Sequence, residues 1–377
     1  MKSKNNIIIS GINLFEGGPL SILKDCLSFL NESAYIHQYD FTALVHKKNL
    51  FDEADYANIK FIEFPKSRTS YAYRLYYEYV YFKSFAKKHN VFFWLSLHDI
   101  TPNVGNVNQA VYCHNPSPFN TVNFSEIFVQ PTQFFFRLFY KYLYQINIKK
   151  NNYVIVQQLW IKHRFENMFN LPGNKIITAP PEIPKIADNY ILKNNRVEEN
   201  KNQLTKTFFF PTFPRPFKNI EVICEAVLLV LKKNIQNFKV IITINGSENK
   251  YAETIVEKYK HIDAIKFIGL IKREDVYMYY SQSDCLIFPS KLETWGLPIS
   301  EFKQFNKPIF LADLPYAKET VGDYEMVSFF NPDDAVQLSE LIVSALRNQL
   351  VFDKNHAIKY EKPFVSDWNE LFVTLLK

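Results

Sequence analysis

Short runs rich in Val, Ile and Phe alternate with longer helix-patterned segments along nearly the whole chain. The strand-like runs of the first half are NIIIS (6–10), FTALV (41–45), IKFIEF (59–64), VFFWLSL (91–97), QAVYC (109–113), YVIVQ (153–157) and KIITA (175–179). Those of the second half are FFFP (208–211), KVIITI (239–244), IKFIG (265–269), CLIFP (285–289), PIFL (308–311) and VSFF (327–330). Such alternation builds βα units and parallel sheets. Helices between the later strands are expected to start near Asn219, Glu248, Arg273, Leu297 and Asp333. One stretch breaks the pattern: 185–206 is rich in Asn, Lys and Glu and follows the prolines of APPEIP, so it reads as a linker. A chain of 377 residues also exceeds one ordinary core. The expected architecture is α/β, with two doubly wound parallel-sheet domains at 1–184 and 207–362. An amphipathic helical pattern closes the chain at 363–377.

Composition removes several function classes. The net charge of +6 is too mild for a phosphate-tracking nucleic-acid binder, and Lys/Arg runs are missing. The four cysteines, Cys26, Cys113, Cys224 and Cys285, form no CxxC, which argues against a zinc site or disulfide framework and fits a reducing cytoplasm. No stretch nears the roughly 18 apolar residues of a membrane span, and no signal peptide is recognisable. Aromatic residues reach 16% and concentrate in 71–89 and 133–150, where Lys and Arg are threaded through Tyr and Phe. Two core-packing helices explain both segments; a peripheral membrane surface is the alternative.

Only nine glycines are present, mostly in strand-to-helix loops, the edge where open α/β sheets bind ligands. Gly17 and Gly18, followed by Pro19, put permissive backbone at a helix start that attracts anions. The spacing is not the GxGxxG of a dinucleotide site, so a nicotinamide-dependent oxidoreductase is disfavoured.

The segment LETWGLPISE (292–301) carries two acids, Glu293 and Glu301, across Trp295, Gly296, Leu297 and Pro298. Glu301 falls one turn into the expected helix. A carboxylate accepts two hydroxyls at once and therefore suits a vicinal diol, while loop amides near Gly296 and Leu297 suit a diphosphate. The competing reading is structural: Ser290-x-x-Glu293 has the form of a capping box, and an acid in a first helical turn is favoured anyway. Lys218 stands at the start of another expected helix, where the macrodipole disfavours a cation unless an anion is bound. Arg215 is a weaker second basic candidate. In the first half, His98 with Asp99, and His114 with Asn115, directly follow strands and are candidates for hydroxyl binding.

The second half resembles the retaining glycosyltransferases of family 4, which have the GT-B fold: two Rossmann-like domains facing across a cleft. The likeness is densest from Phe208 to Asp334. Glu293 and Glu301 match that family's Glu-x7-Glu motif, and SDCLIFPSKLETWGLP, FIGLIKREDV, ADLPYAKET and FNPDD are similar to members acting in bacterial surface-polysaccharide assembly, including O-antigen and capsule. VQQLWIKHRFENMF and YCHNPSPF fit as well.

The resemblance implies a nucleoside-diphosphate-sugar donor and a glycan acceptor, often lipid-linked. It implies no cofactor, no catalytic metal, and work at the inner face of the cytoplasmic membrane. It places Glu293 at the donor sugar, Glu301 at the ribose, Lys218 at the diphosphate, Gly17 and Gly18 in the first glycine-rich loop, and His114 near the reacting sugar. It also suggests that 363–377 returns to the first domain. One position departs from the pattern: where many members carry an arginine five or six residues before the lysine, this chain has Phe213 and Thr212. A sugar-nucleotide epimerase or hydrolase and a non-catalytic partner subunit are the alternatives.

Overall fold

The computed structural model describes residues 4–116, 119, 142–187, 190 and 205–377. The chain divides into two compact units, Met1–Glu182 with Tyr360–Lys377, and Ile183–Lys359. All thirteen expected strands form.

The first unit holds β1 (Asn5–Gly11), β2 (Tyr39–Val45), β3 (Ile59–Glu63), β4 (Val91–Ser96), β5 (Asn108–Cys113), β6 (Tyr153–Val156) and β7 (Ile176–Thr178). They pair in parallel in the order β3-β2-β1-β4-β5-β6-β7. Both faces are covered, as a parallel sheet requires. Ile7 and Ile9 of β1 enter one core with Leu23 and Leu27 of α1 (Gly17–Glu32). Ile8, pointing the other way, packs with Phe82, Phe85 and Trp94.

The second unit holds β8 (Lys206–Phe210), β9 (Phe238–Ile242), β10 (Ile265–Phe267), β11 (Cys285–Phe288), β12 (Ile309–Ala312) and β13 (Val327–Phe330), in the order β10-β9-β8-β11-β12-β13. In each sheet the order reverses beside the first strand, between β1 and β4 and between β8 and β11. Ligands bind beyond the carboxyl ends of strands at such points.

Three local readings change. The aromatic segment 71–89 is helical but not uniformly so. It runs as α2 (Tyr71–Tyr76), a π turn (Tyr77–Tyr81) and α3 (Phe82–Lys88). The wider turn points the Glu78 side chain into the unit, where it is fully buried. The closing helix covers only Trp368–Leu375, because Thr178 of β7 exchanges backbone hydrogen bonds with Pro363 and Val365, and Asp367 caps the helix by accepting from Glu370 N. The helix after β11 starts at Leu297, behind Gly296 and with no side-chain cap, so Ser290 and Glu293 form no capping box. Most of the linker 185–206 and the first half of the segment 133–150 lie outside the described residues.

Candidate functional site

In the second unit the loops after the two strands at the order reversal carry the candidate residues. After β8, a short turn (Pro216–Lys218) ends at Asn219, whose left-handed backbone (φ 57°) redirects the chain into the helix Ile220–Lys232. The Asn219 amide donates to Pro289 O and Pro332 O, tying this loop to those after β11 and β13. Lys218 is thereby brought to Glu293, with Nζ 2.5 Å from Oε1. The lysine also lies 5.7 Å from the centres of the Phe217 and Phe288 rings. Two residues read separately from the sequence are each other's partners.

Gly296 is one glycine whose identity is required. Its φ is +88°, and a Cβ there would stand 3.0 Å from Ile299 Cδ1. Trp295 faces inward; its indole N–H donates to Ser300 Oγ and its carbonyl accepts from the Thr320 hydroxyl, so its side chain anchors the loop. Leu297 opens the helix that carries Glu301 (Leu297–Lys303). Glu301 is buried, and its two oxygens have different partners: Arg273 Nη2 at 2.9 Å from Oε1 and the Tyr280 hydroxyl at 3.1 Å from Oε2. Burial and the neighbouring Glu301 push the Tyr280 phenol well above its ordinary pKa, so it stays a donor. Arg215 stacks its guanidinium 4.8 Å from the Phe213 ring, at one of the two positions where an arginine was sought. The other position, Thr212, exchanges hydrogen bonds with Thr243.

Arg273 carries no site motif in the sequence. Its only signal there is its place at the start of a helix whose residues 273, 277 and 280 share one face; the partnership with Glu301 is purely tertiary.

In the first unit, Ser10 is the penultimate residue of β1 and His98 follows β4. His98 is fully buried, and its Nε2 is 3.3 Å from both Ser10 Oγ and Glu78 Oε1. Arg74 donates to the His98 carbonyl. Burial, with Arg74 and His114 nearby, holds the His98 imidazole well below its usual pKa. Burial also pushes the Glu78 carboxyl up to about 8, against the pull of Arg74.

Asp99 adopts a left-handed backbone (φ 72°), and its Oδ1 accepts from His114 N, Asn115 N and the Tyr144 hydroxyl. That carboxylate holds the loop after β5 in place. His114 is buried beside it with neither ring nitrogen hydrogen-bonded among the described residues. Burial lowers its pKa, with Asp99 opposing, which leaves a neutral imidazole able to donate and accept. At the start of α1, Gly17 has φ +65°, and a side chain at Gly17 or Gly18 would meet nothing within 4 Å. Of the sequence candidates, Lys218, Glu293 and Gly296 converge in one unit, His98, Asp99, His114 and Asn115 in the other.

Residues 192–363 match the family model described as "Glycosyl transferases group 1". The O-antigen chain mannosyltransferase RfbU of Salmonella typhimurium is 20% identical over 290 residues, 73% of this chain and 77% of that one. The solved structure of WaaG, a glycosyltransferase involved in lipopolysaccharide biosynthesis, superimposes with a TM-score of 0.65 at 14% identity, covering 90% of each chain. That of Anabaena Alr3699/HepE in complex with UDP-glucose gives 0.61 at 14% identity, over 91% of this chain and 90% of that one. The protein is a glycosyltransferase of the GT-B fold, with the glycosyl transferases group 1 domain in its second unit.

Proposed function

We propose that this enzyme moves a sugar from a nucleoside-diphosphate sugar to a hydroxyl of a growing, lipid-linked glycan of the O-antigen type, with retention of anomeric configuration. The observation that carries the reading is the Lys218–Glu293 pair at the sheet's order reversal, with Glu301 on the helix that follows. A diphosphate at the sheet edge would draw the Lys218 ammonium, which then stabilises the departing phosphate. Glu293 is left to orient the donor sugar, and Glu301 to accept the ribose diol. His114, neutral and with both nitrogens open among the described residues, suits an acceptor or donor hydroxyl. A same-face displacement fits: the sugar–phosphate bond breaks as the acceptor oxygen bonds to the same face, and its proton passes to the leaving phosphate. Lys218 supplies the positive charge, so the reaction is expected to proceed in EDTA. The mannosyltransferase relative supports the polysaccharide setting, and the UDP-glucose complex of the structural neighbour supports the donor class.

Calorimetric titration with UDP, GDP, ADP and dTDP, then their sugars, tests the reading. One nucleotide should bind clearly, and its sugar should be transferred intact to a glycan acceptor. Absence of binding by all four would overturn the proposal, and release of free or epimerised sugar would replace transfer with hydrolysis or epimerisation.

A second proposal concerns the first unit. No helix among the described residues is long and apolar enough to cross a membrane. Tyr71, Tyr73, Tyr76 and Val80 are nevertheless exposed along α2 and the π turn, with exposed Lys83 and Lys87 beyond them. Aromatic rings beside lysines favour a bilayer interface with anionic lipids. The enzyme should be retained on anionic vesicles and released at high salt; equal behaviour on neutral vesicles would remove the membrane role.

A further inference from the structure

Glu301 is an acid with little access to water: its side chain is 8% exposed, while that of Arg273 is 45% exposed. A carboxylate held that deeply needs partners for its lone pairs. Among the described residues its partners are Arg273 and Tyr280, both from the helix Arg273–Gln282 and one on each oxygen. Arg273 is itself held. Its Nε donates to the Tyr277 hydroxyl at 2.7 Å, and the Tyr277 ring packs edge-on against Tyr190 at 5.9 Å and lies 6.3 Å from Tyr280. The guanidinium cannot swing without giving up either Tyr277 or Glu301.

An ionised carboxylate has about four lone-pair sites. Arg273 and Tyr280 occupy one on each oxygen and, among the described residues, leave one on each. That is the arrangement a vicinal diol requires, two acceptors side by side at fixed spacing. A carboxylate without these partners would rotate about its terminal torsion and present its oxygens in many directions.

We infer that Arg273 is a positioning residue for donor recognition: it fixes the Glu301 carboxylate so that both remaining acceptor sites face the ribose hydroxyls of the nucleotide. The inference rests on the donor reading above. It differs from a plain stabilising ion pair because it couples a residue that need not touch the ligand to one chemical group of that ligand.

The test compares each of UDP, GDP and ADP with its 2′-deoxy counterpart, in the wild type and in the Arg273→Gln, Arg273→Lys and Tyr280→Phe variants, by calorimetry. The wild type should favour the ribose form by about ten-fold or more, the scale of one hydrogen bond to a charged group. In Arg273→Gln that preference should collapse towards unity while affinity for the deoxy form changes little. Arg273→Lys, which keeps the charge but not the fork, should recover part of the preference, and Tyr280→Phe should lose part of it. A wild-type preference preserved in Arg273→Gln, or an equal loss for both forms, overturns the inference alone. No ribose preference in the wild type overturns the ribose role of Glu301 as well, and no binding of any nucleotide overturns the donor reading itself.

Discussion

Replacing Lys218 by Met should lower the melting temperature of the second unit and reduce transfer by about two orders of magnitude. Both effects come from one ammonium group. The ammonium and the Glu293 carboxylate are 2.5 Å apart, and their side chains are only 17% and 13% exposed. Removing one partner from a mostly buried pair strands the other charge; for full burial that costs about 3–5 kcal/mol, and the remaining exposure here sets the expectation at the lower end, about 3 kcal/mol. At roughly 2–4 °C per kcal/mol for a unit of this size, a shift of several degrees is readable by calorimetry. The double variant Lys218→Met with Glu293→Leu removes both charges and should recover most of the stability. It should recover none of the transfer, since the loss of a charge-assisted contact to diphosphate, about 1.5–3 kcal/mol, remains. A single variant that melts like the wild type would show that the pair carries no strain-free charge balance, and unaltered transfer would remove Lys218 from the reaction.

The second large effect concerns pH. Glu78 should make the first unit less stable as pH rises, and Glu78→Gln should abolish that slope. The carboxyl is fully buried and titrates near 8 in the folded protein, against an ordinary value of 4.5. Between those two values the folded chain keeps a proton that the unfolded chain has released. Stability from this group is therefore complete below about pH 4.5 and is lost as pH climbs through about 8, with a slope approaching 1.4 kcal/mol per pH unit. His98, 3.3 Å away, works in the other sense: it is held neutral in the fold, so its contribution is lost as pH falls below 6.5. Glutamine keeps the shape of Glu78 without the proton, so at pH 7 the variant should be the more stable by up to about 3 kcal/mol. Urea midpoints from pH 5 to 8.5 give the comparison; parallel curves for the two proteins would refute it.

Fold and site differ in how far the amino-acid order discloses them. Strands such as FTALV and CLIFP declare themselves through β-branched and aromatic runs bounded by turn residues, and the position of Glu301 one turn into a helix follows from Pro298 and the apolar spacing of Ile299, Phe302 and Phe305. These signals are local. The π turn at Tyr77–Tyr81 is not signalled, because its residues suit an ordinary helix equally well. Partnerships are hidden for the same reason. Lys218 and Glu293 are far apart in the chain and meet because Asn219 ties its loop to Pro289 and Pro332. Arg273 reaches Glu301 through the packing of two helices. Asp99 stood out beside His98 as a polar residue at a sheet edge, yet its carboxylate holds the backbone of His114 and Asn115, a use that depends on a left-handed turn no residue pattern announces.

The closing helix has a consequence for how the molecule is made. Val365, Trp368, Leu371, Phe372 and Leu375 sit in the same core as Ile7, Leu23 and Phe41, so the earliest-synthesised unit lacks one wall of its interior until the whole of Ile183–Lys359 has left the ribosome. The second unit is continuous in the chain and can close first. Biogenesis thus runs opposite to the direction of translation, and a nascent first unit presents an open apolar face for as long as its successor takes to emerge, a window in which chaperone occupancy should be highest.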